Sequence, residues 1–138
     1  MNILYEIERM KTIDDVFDYL KGAKGMPKKV AKQYLYQIVP LEKVYQKKII
    51  DRLKKEYPSG FIWKAAAGPY SAGGIPDICA VIGGRFYGFE VKRPHIGKVS
   101  ALQVRAIEKI RKAGGFAGVV CLPEDAIKII ERSMEDGK

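Results

Sequence analysis

The sequence contains few residues that bind soft metals or cross-link a chain: two cysteines and one histidine among 138 residues. That set is too small for a structural zinc centre, so a metal site in this chain must be built mainly from oxygen ligands. Cys79 and Cys121 lie in apolar, strand-like runs and are expected to be reduced thiols in the core. We therefore expect an intracellular, cytoplasmic protein.

Long apolar runs are also missing, because no segment reaches the roughly 18 consecutive apolar residues that a membrane helix needs. The first ten residues carry acidic side chains and lack the basic start of a signal peptide. Acidic residues are in deficit overall, with 16 Asp and Glu against 25 Lys and Arg and a net charge of +9. This excess favours a polyanionic partner, with nucleic acid ahead of an anionic membrane surface.

Two runs of β-forming residues flank Gly83 and Gly84, a pair that suits a two-residue hairpin turn because glycine tolerates positive φ. Counting outward from that turn places Asp77 opposite Glu90, with Lys92 on the same face. Opposed like charges, with Cβ atoms roughly 4.5–5.5 Å apart, are destabilising. A divalent cation with oxygen ligands, as Mg²⁺ prefers, would explain the pair. Alternatively, Asp77 caps the preceding turn and Glu90 pairs with Lys92 at a solvated edge.

The spacing of these residues resembles a known signature. Pro76-Asp77, a hairpin and then Glu90-Val91-Lys92 resemble the PD-(D/E)xK pattern of a large nuclease superfamily. The flanking sequences Gly-Ile-Pro-Asp, ending at Asp77, and Ser-Ala-Leu-Gln, ending at Gln103, narrow the resemblance to the virus-type replication-repair nuclease domain (VRR-NUC). The resemblance spans residues 41–121 and implies the αβββαβ core of restriction-endonuclease-like folds.

The resemblance also implies a metal site that takes Mg²⁺, with Mn²⁺ as a substitute. Its ligands would be Asp77, Glu90, the carbonyl of Val91 and a glutamate on the preceding helix, to which Glu42 corresponds. Glu42 has an alternative role, because an acidic residue in the first turn of a helix interacts favourably with the helix dipole.

Catalytic roles are implied for Asp77, Glu90, Lys92 and Gln103. Lys92 would orient the attacking water or stabilise developing negative charge. Gln103 would orient the substrate or a ligand, but Ser100 and Gln103 also form a capping-box pattern at a helix start.

Contacts to DNA phosphates are expected from basic and polar residues around the hairpin. The glycine-rich loop of residues 68–74 would allow close approach of the backbone to a bound strand. A basic loop follows the hairpin and contains His95, which has either a catalytic role or simple exposure. The candidate contacts are Lys64, Arg93, Lys98 and Ser100.

The predicted fold class is α/β: a single domain with a mixed central β-sheet flanked by helices, plus an N-terminal helical extension. Residues 1–39 form the extension packed on the core, and residues 40–138 form the nuclease domain. In the extension, one helix begins at the Thr12 capping box and closes at Gly22, and a second has Pro27 as its first residue. A helix between the Glu90 and Phe116 strands should make those strands parallel.

The functional prediction is a metal-dependent, structure-selective DNA endonuclease of the Holliday-junction-resolvase kind that hydrolyses phosphodiester bonds in DNA repair. Stand-alone members of the resembled family, notably those of phages, imply a homodimer and branched or junction DNA as the partner. Two alternatives stay open. One is a restriction- or nicking-type endonuclease of plain duplex, and the other is a non-catalytic basic DNA-binding module.

Overall fold

The computed structural model describes residues 2–65 and 74–136. Within them, no helix combines the length and apolar character needed to cross a membrane. The elements, in chain order, are α1 (Ile3–Arg9), α2 (Ile13–Lys24), α3 (Lys28–Ile38), α4 (Glu42–Glu56), β1 (Phe61–Lys64), β2 (Ile78–Ile82), β3 (Arg85–Val91), α5 (Ala101–Lys112), β4 (Phe116–Val120) and α6 (Pro123–Asp136). The glycine-rich loop expected to approach a bound strand lies outside the described residues, except for Gly74.

The chain divides into two compact units. The helical unit consists of Met1–Leu41 together with the short segment Arg93–Gly97. The sheet unit consists of Glu42–Lys92 and Lys98–Lys138. The helical unit thus contains the stretch predicted as an extension and also a segment from far along the sequence.

Local capping signals define the helices of the helical unit. The Thr12 side chain accepts a hydrogen bond from Asp15 N, and the Asp15 side chain accepts one from Thr12 N, so the predicted capping box is confirmed. The predicted end at Gly22 is wrong, because α2 continues to Lys24 and closes at Gly25, which has φ of 63°. Pro27 precedes α3 as its N-cap rather than opening it. Helix α1 was not predicted.

The sheet unit is built on a four-stranded sheet in the order β1-β2-β3-β4. The β1–β2 and β2–β3 pairs are antiparallel and the β3–β4 pair is parallel. Ile82 pairs with Arg85 across Gly83 and Gly84, whose φ angles are 58° and 78°. The predicted hairpin register is therefore confirmed. The order α4-β1-β2-β3-α5-β4 is the predicted αβββαβ arrangement, and the mixed α/β fold class is confirmed.

One face of the sheet, which we call the closed face, is packed against α4 and α6. Tyr87, Phe89 and Val91 of β3 point to this face and are fully buried. The Tyr87 hydroxyl hydrogen-bonds to the Ser133 hydroxyl of α6. A Cβ on Gly118, which pairs with Phe89, would lie 2.8 Å from Ile129 Cδ1 of α6. These residues belong to the buried core of the sheet unit.

The opposite face, which we call the open face, carries the alternate residues of the same strands. Helix α5 packs there against β3 and β4. A Cβ on Gly88 would lie 2.8 Å from Pro76 Cγ and 3.1 Å from Ile110 Cδ1 of α5, so glycine permits this close approach. Towards β1, by contrast, Phe61, Trp63 and Val81 keep large exposed areas. The open face is thus only partly covered by described residues.

Candidate active site

Asp77 is fixed in place at the start of β2. Its backbone carbonyl accepts a hydrogen bond of 2.8 Å from Ala65 N, which continues the β1–β2 pairing beyond Lys64. Its Oδ2 atom accepts a hydrogen bond of 2.9 Å from Val91 N. The carboxylate therefore has an anchored orientation towards β3. The register places it opposite Glu90, as the sequence predicts.

Glu90 is a buried acid, with only 3% of its surface exposed. Burial, the hydrogen bond to Asp77 and the negative charge of Asp77 raise the pKa of Glu90 to about 8, although the charge of Lys92 acts in the opposite direction. Glu42 makes a smaller contribution that also raises this pKa. Near neutral pH, these surroundings therefore favour the protonated form of Glu90 beside Asp77. The alternative of a solvated edge pair does not fit this burial.

Gln103 forms the capping box that the sequence offers as one alternative and also hydrogen-bonds to Glu90, whereas its role in orienting a substrate or a metal ligand stays a prediction. Its Oε1 atom accepts a hydrogen bond of 2.9 Å from Ser100 N, and its backbone N donates to Ser100 Oγ at 3.1 Å. Its Nε2 atom donates to Glu90 Oε1 at 2.8 Å. The same side chain therefore caps α5 and fixes the orientation of the buried acid.

The donor set fits a hard divalent cation. Asp77 and Glu90 present carboxylate oxygens on one face, and the proton retained by Glu90 occupies the role that a cation would take between two acids. Among the described residues, no group of three or more His, Cys, Asp or Glu side chains is close enough to hold a metal. Glu42 is the first residue of α4 and its charge reaches Glu90, but its role as a further ligand stays a prediction.

Lys92 directly follows β3 and is partly exposed. Its backbone N donates to Val120 O at 2.9 Å, which extends the parallel β3–β4 pairing by one residue. Its charge lowers the pKa of Glu90, so the ammonium group acts on the carboxylate pair electrostatically. A role in catalysis is consistent with this placement and stays a prediction.

The candidate DNA contacts have different surroundings. Lys64 and Lys98 are exposed, and Ser100 is the N-cap of α5. Arg93 lies in the helical unit, where its Nη2 atom donates to Val39 O at 2.6 Å and its Nε atom donates to Pro40 O at 2.9 Å. These bonds pair the backbone carbonyls that follow the end of α3. They join residues more than 50 positions apart, so the sequence alone does not predict them.

His95 also has a partner in the helical unit. Its Nε2 atom lies 2.7 Å from Ile7 O, the ring is half-buried, and its φ is 64°. The sequence offers exposure or catalysis as roles for His95, whereas the structure shows a contact that joins the segment Arg93–Gly97 to α1 within one unit.

Two features of the open face were missed by sequence reasoning. One is a cavity of about 410 Å³ between the hairpin and α5, lined by residues that include Pro76, Cys79 and Ile110. The other is an exposed pair of rings, Phe61 and Trp63, with centroids 5.1 Å apart and planes at 86°. Alternation along β1 could have indicated that both rings lie on one face. Their position relative to Asp77 follows only from the β1–β2 pairing, which the sequence does not give.

Two solved structures are similar to this chain. Neither a protein-family model nor a curated protein matches the sequence. A solved structure described as a VRR_NUC domain is similar with 26% identity over 63% of this chain and 95% of that chain, at a TM-score of 0.49. The Holliday junction resolvase Hjc of Archaeoglobus fulgidus is similar with 24% identity over 58% of this chain and 67% of that chain, at a TM-score of 0.48.

Proposed function

We propose that this protein is a metal-dependent DNA endonuclease that hydrolyses phosphodiester bonds in branched DNA, in the manner of a Holliday junction resolvase. The observation that carries the proposal is the pair formed by Asp77 and Glu90. Both acids are held opposite each other, and burial of Glu90 together with the neighbouring Asp77 raises the pKa of Glu90. Two such carboxylates are stable side by side when a proton or a cation lies between them.

Each residue of the site has a distinct part in the proposed reaction. The chemistry that Mg²⁺, or Mn²⁺ in its place, would supply at this site is Lewis-acid polarisation of the phosphate and activation of water. Asp77 and Glu90 would hold the ion together with the Val91 carbonyl. Gln103 keeps one Glu90 oxygen in a fixed direction through its 2.8 Å hydrogen bond. Lys92 orients the attacking water or stabilises negative charge that develops on the phosphate.

The charge of the chain supports DNA as the substrate. A net charge of +9 favours phosphate contacts, which give affinity that falls as salt increases and depends little on sequence. The exposed Lys64 and Lys98 belong to the sheet unit that contains the carboxylates. Symmetric cleavage of a four-way junction requires two sites, so the active species in this proposal is a homodimer.

The decisive experiment compares cleavage of a labelled four-way junction, a flap and plain duplex, each with Mg²⁺ or with EDTA. The variant is Lys92→Ala, and the matched control is Lys47→Ala, which removes an exposed lysine paired with Asp51 at 2.7 Å. We expect paired cuts in the junction with Mg²⁺ only. We also expect a loss of about 10²–10³-fold in Lys92→Ala with little change in the control.

Other outcomes would reassign the function. Preferential cutting of flap or duplex would retain a nuclease and discard the junction preference. Binding that persists in EDTA, together with no cleavage of any substrate, would favour a non-catalytic DNA-binding module. Equal losses in Lys92→Ala and Lys47→Ala would mean that Lys92 contributes only general positive charge.

A further inference from the structure

We infer that an aromatic ledge on the open face, formed by Phe61, Trp63 and Val81, binds unpaired nucleobases of the DNA substrate by stacking. The inference rests on the proposed function, because it takes DNA as the partner and adds which part of the DNA this surface holds. The ledge lies on the sheet unit beside the carboxylate pair, and the proposed chemistry does not use it.

The position of the ledge follows from the strand register. Phe61 pairs with Val81 and Trp63 pairs with Cys79, and the next step is the 2.8 Å bond from Ala65 N to Asp77 O. Because side chains alternate along strands, the rings project from the same face as Asp77 and Glu90. Trp63 is two residues from the level of Asp77, which is about 7 Å along the strand. A base next to a phosphate at the carboxylates is therefore within reach of the ledge.

The ledge is exposed and apolar. Phe61 is 62% exposed, Trp63 is 37% exposed and Val81 is 40% exposed. The three residues line a shallow depression of about 550 Å³. Two rings at 86° to each other form a corner in which a flat base can contact aromatic surface. Stacking of this kind tolerates any sequence, since every base has a π-face.

The charges around the ledge match a nucleic-acid strand. A second depression, of about 510 Å³, adjoins the ledge at Phe61 and is also lined by Lys54 and Tyr57. Lys64, at the other end of β1, is exposed but alternates with Trp63 and so projects from the opposite face of the sheet. Among the described residues that line these two depressions, none is acidic. A lysine beside an aromatic surface, here Lys54, provides a phosphate contact next to a stacked base.

A second copy of the chain fits the ledge less well. Fully buried aromatic residues contribute roughly 150–250 Å² each, so the exposed parts of these three side chains provide on the order of 300 Å². A stable protein interface buries about 800 Å² on each partner. Strand β1 has only four residues, which limits pairing between the edges of two sheets. The size of the ledge suits one or two bases.

The sole tryptophan of the chain, Trp63, lies on the ledge and provides a direct signal. We would titrate the protein in EDTA, where no metal-dependent cleavage occurs, and record its fluorescence. The probes are an oligothymidylate of about ten nucleotides, within the ~4–16 nucleotides of known single-strand sites, and a blunt duplex of the same length. We expect the oligothymidylate to quench Trp63 and the duplex to have a much smaller effect.

Three substitutions of Phe61 separate stacking from bulk. Phe61→Tyr keeps the ring and should keep the affinity. Phe61→Leu keeps apolar bulk without a π-face, and Phe61→Ala removes both. We expect both of these variants to weaken binding of the oligothymidylate about tenfold, within the range for one stacked base. The matched control is Tyr36→Ala, because Tyr36 is a comparably exposed ring (58%) in the helical unit.

Several results would overturn the inference. It fails if no DNA changes Trp63 fluorescence, if duplex quenches as strongly as oligothymidylate, or if Phe61→Leu binds as well as Phe61→Tyr. It also fails if Trp63 fluorescence changes with protein concentration alone and Phe61→Ala dissociates a dimer in sedimentation, because a second copy then covers the ledge.

The failures of the two proposals can be told apart. Quenching without cleavage of any substrate in Mg²⁺ would remove the nuclease and leave the ledge. Junction cleavage without quenching would remove the ledge and leave the nuclease.

Discussion

The two faces of the central sheet differ in what their buried residues do, although the same strands supply both. On β3, Tyr87 and Phe89 point to the closed face and are fully buried among apolar side chains. Gly88 and Glu90 alternate with them and point to the open face, where an acid is buried beside another acid. The closed face stabilises the fold, whereas the open face holds an arrangement that weakens it unless a proton or cation is present. Because side chains alternate along the strand, successive residues of β3 contribute in turn to the apolar core and to the candidate site.

The largest expected effect belongs to the closed face. Phe89→Ala removes a fully buried ring and should lower the free energy of unfolding by about 3–5 kcal/mol. Urea denaturation followed by circular dichroism measures the change. The control is Phe61→Ala, an exposed phenylalanine whose removal should change the unfolding free energy by less than about 1 kcal/mol. Similar losses in the two variants would contradict the contrast between the faces.

On the open face, Glu90→Gln should stabilise the metal-free protein at alkaline pH. The folded-state pKa of about 8 exceeds the ordinary value of 4.5, so the folded state binds more protons between those values. The stability of the wild type should therefore fall as pH rises through that window, by up to a few kcal/mol. Glu90→Gln, which keeps a neutral side chain, should remove this slope and be the more stable protein at about pH 9 in EDTA.

The control for that slope is Glu56→Gln, because Glu56 is exposed and pairs with Arg52 at 2.9 Å on α4. Its effect should stay within about 0.5 kcal/mol at every pH. If Glu90→Gln proved less stable than the wild type at alkaline pH, the charged form of Glu90 would be the stabilising one. The contrast between the faces would then be lost.

A smaller effect separates the two contacts of Gln103. Gln103→Ala removes both the α5 cap and the bond to Glu90, whereas Ser100→Ala weakens only the cap. Residues that hold metal ligands typically contribute 10–100-fold in activity or metal affinity. We expect a loss of that size in Gln103→Ala, measured by Mg²⁺ affinity in the absence of DNA, and almost none in Ser100→Ala at temperatures where both are folded. Equal effects would reduce Gln103 to a helix cap.

The smallest expected effect is the exchange of a proton for a cation. Because Glu90 is protonated below pH 8, binding of Mg²⁺ at neutral pH should release close to one proton. Affinity should rise with pH by at most about tenfold per unit and level off above pH 8. Calorimetry in two buffers of different ionisation enthalpy measures the release. Glu90→Gln should show none, and an equal release in that variant would place the proton elsewhere.

Signals between near neighbours in the sequence account for the parts of the fold that were predicted. Gly83 and Gly84 specify the turn, and the period of the strands then fixes Asp77 against Glu90. Ser100 and Gln103 specify the start of α5 in the same way. In each case, a few adjacent residues determine the conformation and no distant contact is needed.

Features set by distant or competing contacts were not predicted. Helix α1 has only seven residues, too few for a clear periodic pattern. The end of α2 was placed at Gly22, but an interior glycine destabilises a helix by only about 1 kcal/mol, and Gly25 provides the left-handed cap. The burial of Glu90 and the carbonyl partners of Arg93 depend on tertiary packing. A sequence pattern shows that two acids face each other but does not show how much water reaches them.

The lack of a side chain at Gly88 limits which substitutions proteins with this site can accept. A methyl group there would lie 2.8 Å from Pro76 Cγ and 3.1 Å from Ile110 Cδ1, so Pro76 would have to shift and the Ile110 side chain on α5 would have to move by a few tenths of an ångström. Gln103 lies on the same helix as Ile110. A shift of this helix would therefore weaken the hydrogen bond from Gln103 to Glu90, even with every acid and lysine unchanged. The position two residues before the glutamate is therefore restricted to glycine by packing rather than by charge. Natural or designed variants that replace it should have to reshape Pro76 and Ile110 in the same step.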